Sequence, residues 1–398
     1  MKRLFLSLSV LLLSTSATAA SLSQYTANRL QQANELLQRS QYQKAIQVLQ
    51  STKAAGQYEQ AMVNRLLGVS YWQQGNNEQA IRALTAAVGS AAFKDAQAWE
   101  TEKMLADLLL NSGKYAASLT HYHALVKSAP KTQKVDEVWL RIAQASYQVE
   151  QWQPVLNAIA KYEALGNRSN VNALQIKLGA QLELSQWKAA IPTLKTLLAL
   201  EPNKAIWWRQ LVSLHLQVGQ QRGALDTLAL AKKQGVKLET KDLRLLAQLY
   251  AQNGIPERAA LQLAQLDGAD TEVELLKEQA IYWQQAKEWD KATEFWRKTA
   301  AHQPQYFWNV SQLLLQEGHY QQALRVLNNV KEPSRKADVF LAKTRALYKL
   351  NQIEEALVEA KRAEATQPSQ QAKNWIQYLS TLREQSNKQG EAVKPQVS

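Results

Sequence analysis

The stretch that most constrains this chain is residues 66–87, LLGVSYWQQGNNEQAIRALTAA, because its spacing of small and large residues recurs along most of the 398 residues. Side chains at i, i+3 or i+4 and i+7 share one face of a helix, so Leu67 and Tyr71 describe one apolar face, stopped by Gly75. Ala80, Leu84 and Ala87 describe a second helix packed on the first, with a small residue at Ala80 where the two backbones approach. Neither helix buries its face alone. The remainder of the chain is therefore expected to supply neighbours for this hairpin, stacked in register.

The register can be followed from a small or apolar marker early in each second helix: Ala45, Ala80, Ser118, Val155, Ala190, Ala224, Ala259, Ala292, Ala323 and Ala356, spaced 31 to 38 residues apart. Three other residue types hold the same frame. Glycines stand five residues before the marker at Gly75, Gly113, Gly219, Gly254 and Gly318, where a helix end calls for left-handed backbone. Aromatic residues stand three before it at Tyr42, Tyr115, Trp152, Trp187, Trp289 and Tyr320. Prolines stand twelve after it at Pro130, Pro202, Pro304 and Pro368, where the second helix must end.

The order Leu67-Gly68, Tyr71, Gly75, Ala80, Leu84 and Ala87, repeated at this period, resembles the tetratricopeptide repeat (TPR) consensus. The resemblance implies an all-α, right-handed superhelical solenoid of about ten TPR-like helical hairpins. A C-terminal cap helix with Trp375, Ile376 and Leu379 follows Pro368. The expected organisation is a signal peptide over residues 1–20, N-terminal hairpins over 21–165, C-terminal hairpins with the cap helix over 166–384, and a disordered tail over 385–398. The fourth hairpin has Val155 at the small position with Pro154 beside it, and Gly179 is displaced by one in the fifth, which motivates a hinge there. Residues 89–98, 164–172 and 235–240 are longer or more polar linkers and candidate points of flexure.

Lys2 and Arg3, an apolar run over residues 4–13 and the Ala17-Thr18-Ala19 stretch read as a cleavable secretory signal, cut near Ala19 or Ala20. The run is about half of what a membrane-spanning helix needs. The expectation is an exported, periplasmic protein with no transmembrane segment in its mature form. There is no cysteine, which removes thiolate catalysis, CxxC redox chemistry and Cys-based zinc sites and suits an oxidising compartment. The formal charge of +13 falls to +11 without the two leader cations. In such a compartment a basic solenoid favours acidic protein segments or anionic envelope polymers over nucleic acid.

No catalytic or cofactor motif stands in the sequence: there is no HExxH, GxSxG, P-loop or GxGxxG. His121 and His123 are two apart on an expected helix and face apart, so they do not pinch a metal. No metal site, no cofactor and no enzyme activity are expected. Of the twelve tryptophans, Trp139, Trp152, Trp187, Trp208, Trp283, Trp289 and Trp296 fall at packing positions of their hairpins.

The candidate partner-binding residues lie on the other face of the first helices, the concave face of such a solenoid. Trp72, Trp308, Tyr147 and Tyr348 are aromatic there, as anchors for a bound segment or as helix-edge packing. Arg65, Lys103, Arg209, Arg244 and Lys277 recur at the fifth position, which contributes to peptide capture in the resembled family. The carboxylate clamps of that family also use Asn at the ninth position, whereas Val69, Asp107, Ser213, Gln248 and Ile281 stand there. Gln73, Gln148, Gln217, Gln252, Gln285 and Gln316 form an amide row, with Asn111 and Lys349 in the same place. Such a row suits either the backbone of an extended ligand or a polar helix end.

The opening SLSQYTANRLQQANELLQRSQYQKAIQVLQ resembles periplasmic TPR proteins associated with TonB-type energy transduction. That resemblance implies an adaptor of the envelope, accessory to outer-membrane iron or haem uptake, with envelope proteins and a TonB-type complex as partners. The alternative is a protein that binds peptidoglycan or lipopolysaccharide through Trp72, Trp308 and positive charge.

Overall fold

The computed structural model describes residues 22–392, and the expected signal peptide and the last six residues lie outside them. Among the described residues there is no strand. The chain divides into two compact units, Met1–Leu200 and Glu201–Ser398. The first unit holds five helical hairpins: α1 (Gln24–Gln38) with α2 (Tyr42–Gln50), α3 (Gln57–Gln74) with α4 (Asn77–Gly89), and α5 (Asp95–Asn111) with α6 (Tyr115–Lys127). They continue with α7 (Asp136–Gln148) and α8 (Trp152–Ala164), then α9 (Val171–Glu183) and α10 (Trp187–Leu200). The second unit holds five more: α11 (Ala205–Gln217) with α12 (Gln221–Lys233), α13 (Thr240–Gln252) with α14 (Pro256–Leu263), and α15 (Val273–Gln285) with α16 (Trp289–His302). After them come α17 (Phe307–Gln316) with α18 (Tyr320–Leu327), α19 (Lys336–Lys349) with α20 (Ile353–Thr366), and the final α21 (Gln370–Ala392).

Ten hairpins match the ten markers, and all ten markers are fully buried. The close approach expected at Ala80 is real: a Cβ built on Gly68 would stand 2.5 Å from Leu84 Cγ and 3.4 Å from the Ala80 carbonyl oxygen. Side chains larger than these would separate the pair and forfeit the burial of Leu84, worth about 1.5–3 kcal/mol.

The turn between the two helices has one solution in all ten hairpins. The residue five before the marker takes the left-handed conformation, with φ from +74° to +91° at the five glycines. In the other five hairpins Ser40, Glu150, Ser185, Lys287 and Asn351 adopt it with φ of 54° to 60°. In every case the next residue's N–H donates to the carbonyl five residues back, as Asn76 does to Tyr71 at 2.8 Å and Glu288 to Trp283 at 3.0 Å. That bond satisfies a carbonyl the helix would otherwise leave open, so the turn is kept where glycine is absent.

No hairpin has a private core. Leu30, Ala33, Ala45, Leu49, Val63 and Leu66 combine α1, α2 and α3, and one cluster runs from Trp99 in α5 to Ala180 in α9. That cluster crosses residue 165, and the two units part after Leu200. The irregularities that motivated a hinge have packing explanations. Pro154 is the third residue of α8, where its missing N–H has no partner to lose. Gly179 leaves room for Tyr147, whose hydroxyl would lie 2.6 Å from an added Cβ. Linker residue Phe93 is buried and meets Tyr58 edge-on at 5.9 Å. The final helix buries Ala372, packs Leu379 with Ala356, Leu357 and Ala360, and runs to Ala392, eight residues past the expected end at Glu384.

Candidate functional site

The fifth-position cations are side chains of the first helices, and each is held by a carboxylate. In the first unit Arg65 Nη2 lies 3.3 Å from Glu100 of the next hairpin. Lys103 Nζ lies 2.8 Å from Asp107, one turn on. Asp107 also accepts from the Tyr122 hydroxyl at 2.6 Å, and burial together with that carboxylate pushes the phenol far above its usual range. In the second unit Arg209 reaches Asp242 at 2.8 Å and Glu239 at 2.7 Å, which raises its already high pKa. Asp242 is nearly buried and closes a capping box at the start of α13. Arg244 pairs with Glu278, and Lys277 with Glu274. The row is therefore largely neutralised from within, and it spans successive hairpins at Arg65, Arg209 and Arg244.

The aromatic candidates separate. Trp72 is 39% exposed on α3. Tyr147 is half-buried, set edge-on to Trp152 at 5.1 Å and filling the space above Gly179. Trp308 is half-buried against the core around Trp296 and carries the Arg335 guanidinium 5.1 Å from its ring. Those two serve packing. Tyr348 differs, because it joins Trp375 and Tyr378 of α21 in a cluster with ring centroids 5.4 Å to 6.2 Å apart. The Tyr348 and Tyr378 hydroxyls lie 3.0 Å apart. Gln370, Gln371 and Asn374 complete a cleft of about 630 Å³ around these three rings. Its polar groups are amides and phenols, which bind neutral donors and acceptors, while the rings supply apolar faces.

Trp375 and Tyr378 were not expected in a site. Continuing the hairpin register past Pro368 would have placed Trp375 in the row of Arg65 and Trp308, but α21 has no following second helix to mark the frame. Gln248 and the amide row Gln73, Gln148, Gln217, Gln252, Gln285 and Gln316 are all exposed. Five of the six row members are the last residue of their helix and Gln73 is the penultimate one, so the row borders the inter-helix turns. The tryptophans assigned to packing are buried or half-buried, and Trp208 donates to the Pro202 carbonyl at 2.7 Å. His121 meets Glu102 at 2.6 Å while His123 is exposed, so the two do face apart. Among the described residues no group of three or more His, Asp or Glu side chains could hold a metal, and no helix is long and apolar enough to cross a membrane.

No curated protein matches the chain. Among solved structures, MamA AMB-1 is 20% identical over 46% of this chain and 94% of its own, with a TM-score of 0.37. MamA from Desulfovibrio magneticus RS-1 is 16% identical over 44% of this chain and 94% of its own, with a TM-score of 0.35. The structure of Naa15/Naa10 bound to HypK is 12% identical over 89% of this chain, which spans 59% of that one, with a TM-score of 0.44. Residues 30–96 match the tetratricopeptide repeat family. Those residues hold the hairpin of Ala80 and most of the one before it, and their buried marker and left-handed turn recur in all ten hairpins. Over residues 30–96 the chain is thus similar to the tetratricopeptide repeat family.

Proposed function

We propose that this protein is an exported scaffold of the cell envelope, holding a protein partner on the first helices of its hairpins. The observation that carries the reading is the aromatic–amide cleft of Tyr348, Trp375 and Tyr378. It is accessible where the last hairpin meets the final helix, and its side chains suit an extended segment with alternating apolar and amide groups. The exposed amides of Gln248 and Gln285 and the ring of Trp72 offer further contacts of the same kind within their own units. The fifth-position cations contribute rigidity between hairpins more than free charge, since each already faces a carboxylate.

The leader-like opening and the lack of cysteine support a periplasmic location. The resemblance of the opening to TPR proteins of TonB-type systems supports a role as an accessory of outer-membrane iron or haem uptake. Tyr348→Ala combined with Tyr378→Ala should abolish in-cell crosslinking to the partner while leaving the far-UV circular dichroism unchanged. Unaltered crosslinking by the folded double variant would overturn the reading.

A second reading rests on the same cleft. Three rings beside three amides also match a sugar ring, whose C–H face stacks on aromatics while its hydroxyls bond to amides. Co-sedimentation with purified peptidoglycan that is lost in the same double variant would favour an envelope-polymer binder.

A further inference from the structure

A second cleft lies between the second helices of two consecutive hairpins, lined by Lys232 at the end of α12, Tyr250 of α13, and Arg258, Leu261, Gln262 and Gln265 in and after α14. It holds about 220 Å³. Two of its six residues are cationic and none is a carboxylate. This sets it apart from the fifth-position row, where every cation has an acidic partner.

The Lys232 ammonium donates to the Gln262 amide oxygen at 2.5 Å and to the Gln265 amide oxygen at 2.7 Å. Amide oxygens satisfy its hydrogen bonds but leave its charge unopposed. Burial accordingly pushes the Lys232 pKa down, the direction a neighbouring anion would reverse. Because Lys232 fixes the Gln262 oxygen, it also fixes which way that amide faces. Gln262 is 4% exposed, and its Nε2 is buried with no acceptor. A buried donor without a partner costs about 1–3 kcal/mol. Arg258 is exposed, has no carboxylate within 4 Å among the described residues, and lies with its guanidinium carbon 6.0 Å from the Tyr250 ring centroid. Leu261, 48% exposed, adds an apolar wall.

Two unneutralised cations, an unfilled amide donor and an apolar wall select an oxyanion attached to something apolar. We propose that this cleft binds a carboxylate of a protein partner, an acidic residue beside an apolar one, with Lys232 and Arg258 as its charge partners and Tyr250 and Leu261 contacting the neighbouring side chain. This goes beyond the scaffold reading: the acidic segment that the basic composition favours would be met here, at a second contact surface on α12 and α14, and not at the fifth-position row. A carboxylate is preferred to a phosphate because the apolar wall begins beside the cations, which suits a short acidic side chain within a peptide.

The test uses the full-length protein and a fluorescent peptide of alternating Glu and Leu, followed by anisotropy, with a Gln-Leu peptide as the uncharged control. Binding of the Glu-Leu peptide alone is expected, weakened by salt. It should fall about tenfold in Arg258→Gln and further in Arg258→Gln with Lys232→Met, in keeping with the loss of a charge-assisted hydrogen bond. Lys233→Gln, which removes a neighbouring exposed cation, should leave it unchanged. Arg258 is exposed, so its variant keeps the test interpretable if Lys232→Met disturbs the fold. Equal binding by Arg258→Gln, an equal loss in Lys233→Gln, or displacement of the peptide by inorganic phosphate at lower concentration than by acetate would each overturn the proposal. The Tyr348→Ala and Tyr378→Ala crosslinking result is independent of Arg258, so failure of this cleft and failure of the scaffold reading are told apart.

Discussion

Gly68→Ala sets two effects of similar size against each other, and the structure decides between them. In the middle of α3 the substitution removes the conformational cost of glycine, a gain of about 0.5–1 kcal/mol. The new Cβ would meet Leu84 Cγ at 2.5 Å and Cδ2 at 2.8 Å, well inside van der Waals contact. Cγ is a branch point close to the backbone, and Leu84 is itself packed with Tyr71, Leu105 and Leu109, so it has nowhere to retreat. Overpacking of this kind costs about 1–3 kcal/mol. The sum is a net loss of about 1–2 kcal/mol, borne by the second hairpin and its neighbours because stability in stacked repeats is shared locally. Gly89→Ala is the internal control: at the end of α4 nothing lies within 4 Å of its added Cβ, so it should gain up to about 1 kcal/mol. Urea unfolding followed by circular dichroism, with hydrogen exchange to localise the change, measures both. Leu84→Ala introduced beside Gly68→Ala should cost less than the two single changes summed, since one relieves the other. A Gly68→Ala protein as stable as the parent would refute the close-contact argument.

Three further outcomes are expected. Lys287→Gly should stabilise by up to about 1 kcal/mol, the left-handed penalty of about 1–2 less the glycine cost, and Gly254→Ala should destabilise comparably in a thermal melt. Glu59 accepts from the Thr26 hydroxyl at 2.6 Å and the Ala55 N–H at 2.8 Å, which holds its pKa at about 2 against an ordinary 4.5. A folded pKa below the unfolded one means stabilisation that is full above pH 4.5 and lost as pH falls through 2. Glu59→Gln should therefore lower the melting midpoint at pH 7 and converge on the parent only below pH 2. Arg209→Glu would face Asp242 and Glu239 with a third carboxylate, and a loss of about 1–3 kcal/mol in urea unfolding is expected. An unchanged midpoint would return Arg209 to the role of a free charge.

What was legible in the sequence follows from what a period can encode. The markers from Ala45 to Ala356 are fully buried because the same contact between two helices is made ten times, and repetition shows a small residue in one chain. The turns were half-legible: five glycines announced them, whereas Glu150 and Lys287 adopt the same left-handed backbone without any side-chain signal, since the stacked helices impose it. The site was harder to see. Arg65, Arg209 and Arg244 stand in register as expected, but their partners Glu100, Asp242 and Glu278 occupy three different positions of the next hairpin, so no row of acids reveals the pairing. Tyr147 shares the register of Trp72 and Trp308 that of Arg65, and only the space above Gly179 and the placement of Arg335 show that the two are packing residues. Tyr348 finds its partners in the last helix, where the period ends.

The central claim, that a partner lies along the first helices of the second unit, is tested most directly by a photoreactive amino acid placed in living cells at Gln285, Gln316 and Tyr378, with Val358 as an exposed position on a second helix. The account predicts an adduct of one common mass from the first three positions, lost when Tyr348→Ala is added, and none from Val358. An adduct from Val358 alone, or adducts at the first three positions that survive Tyr348→Ala undiminished, would contradict it.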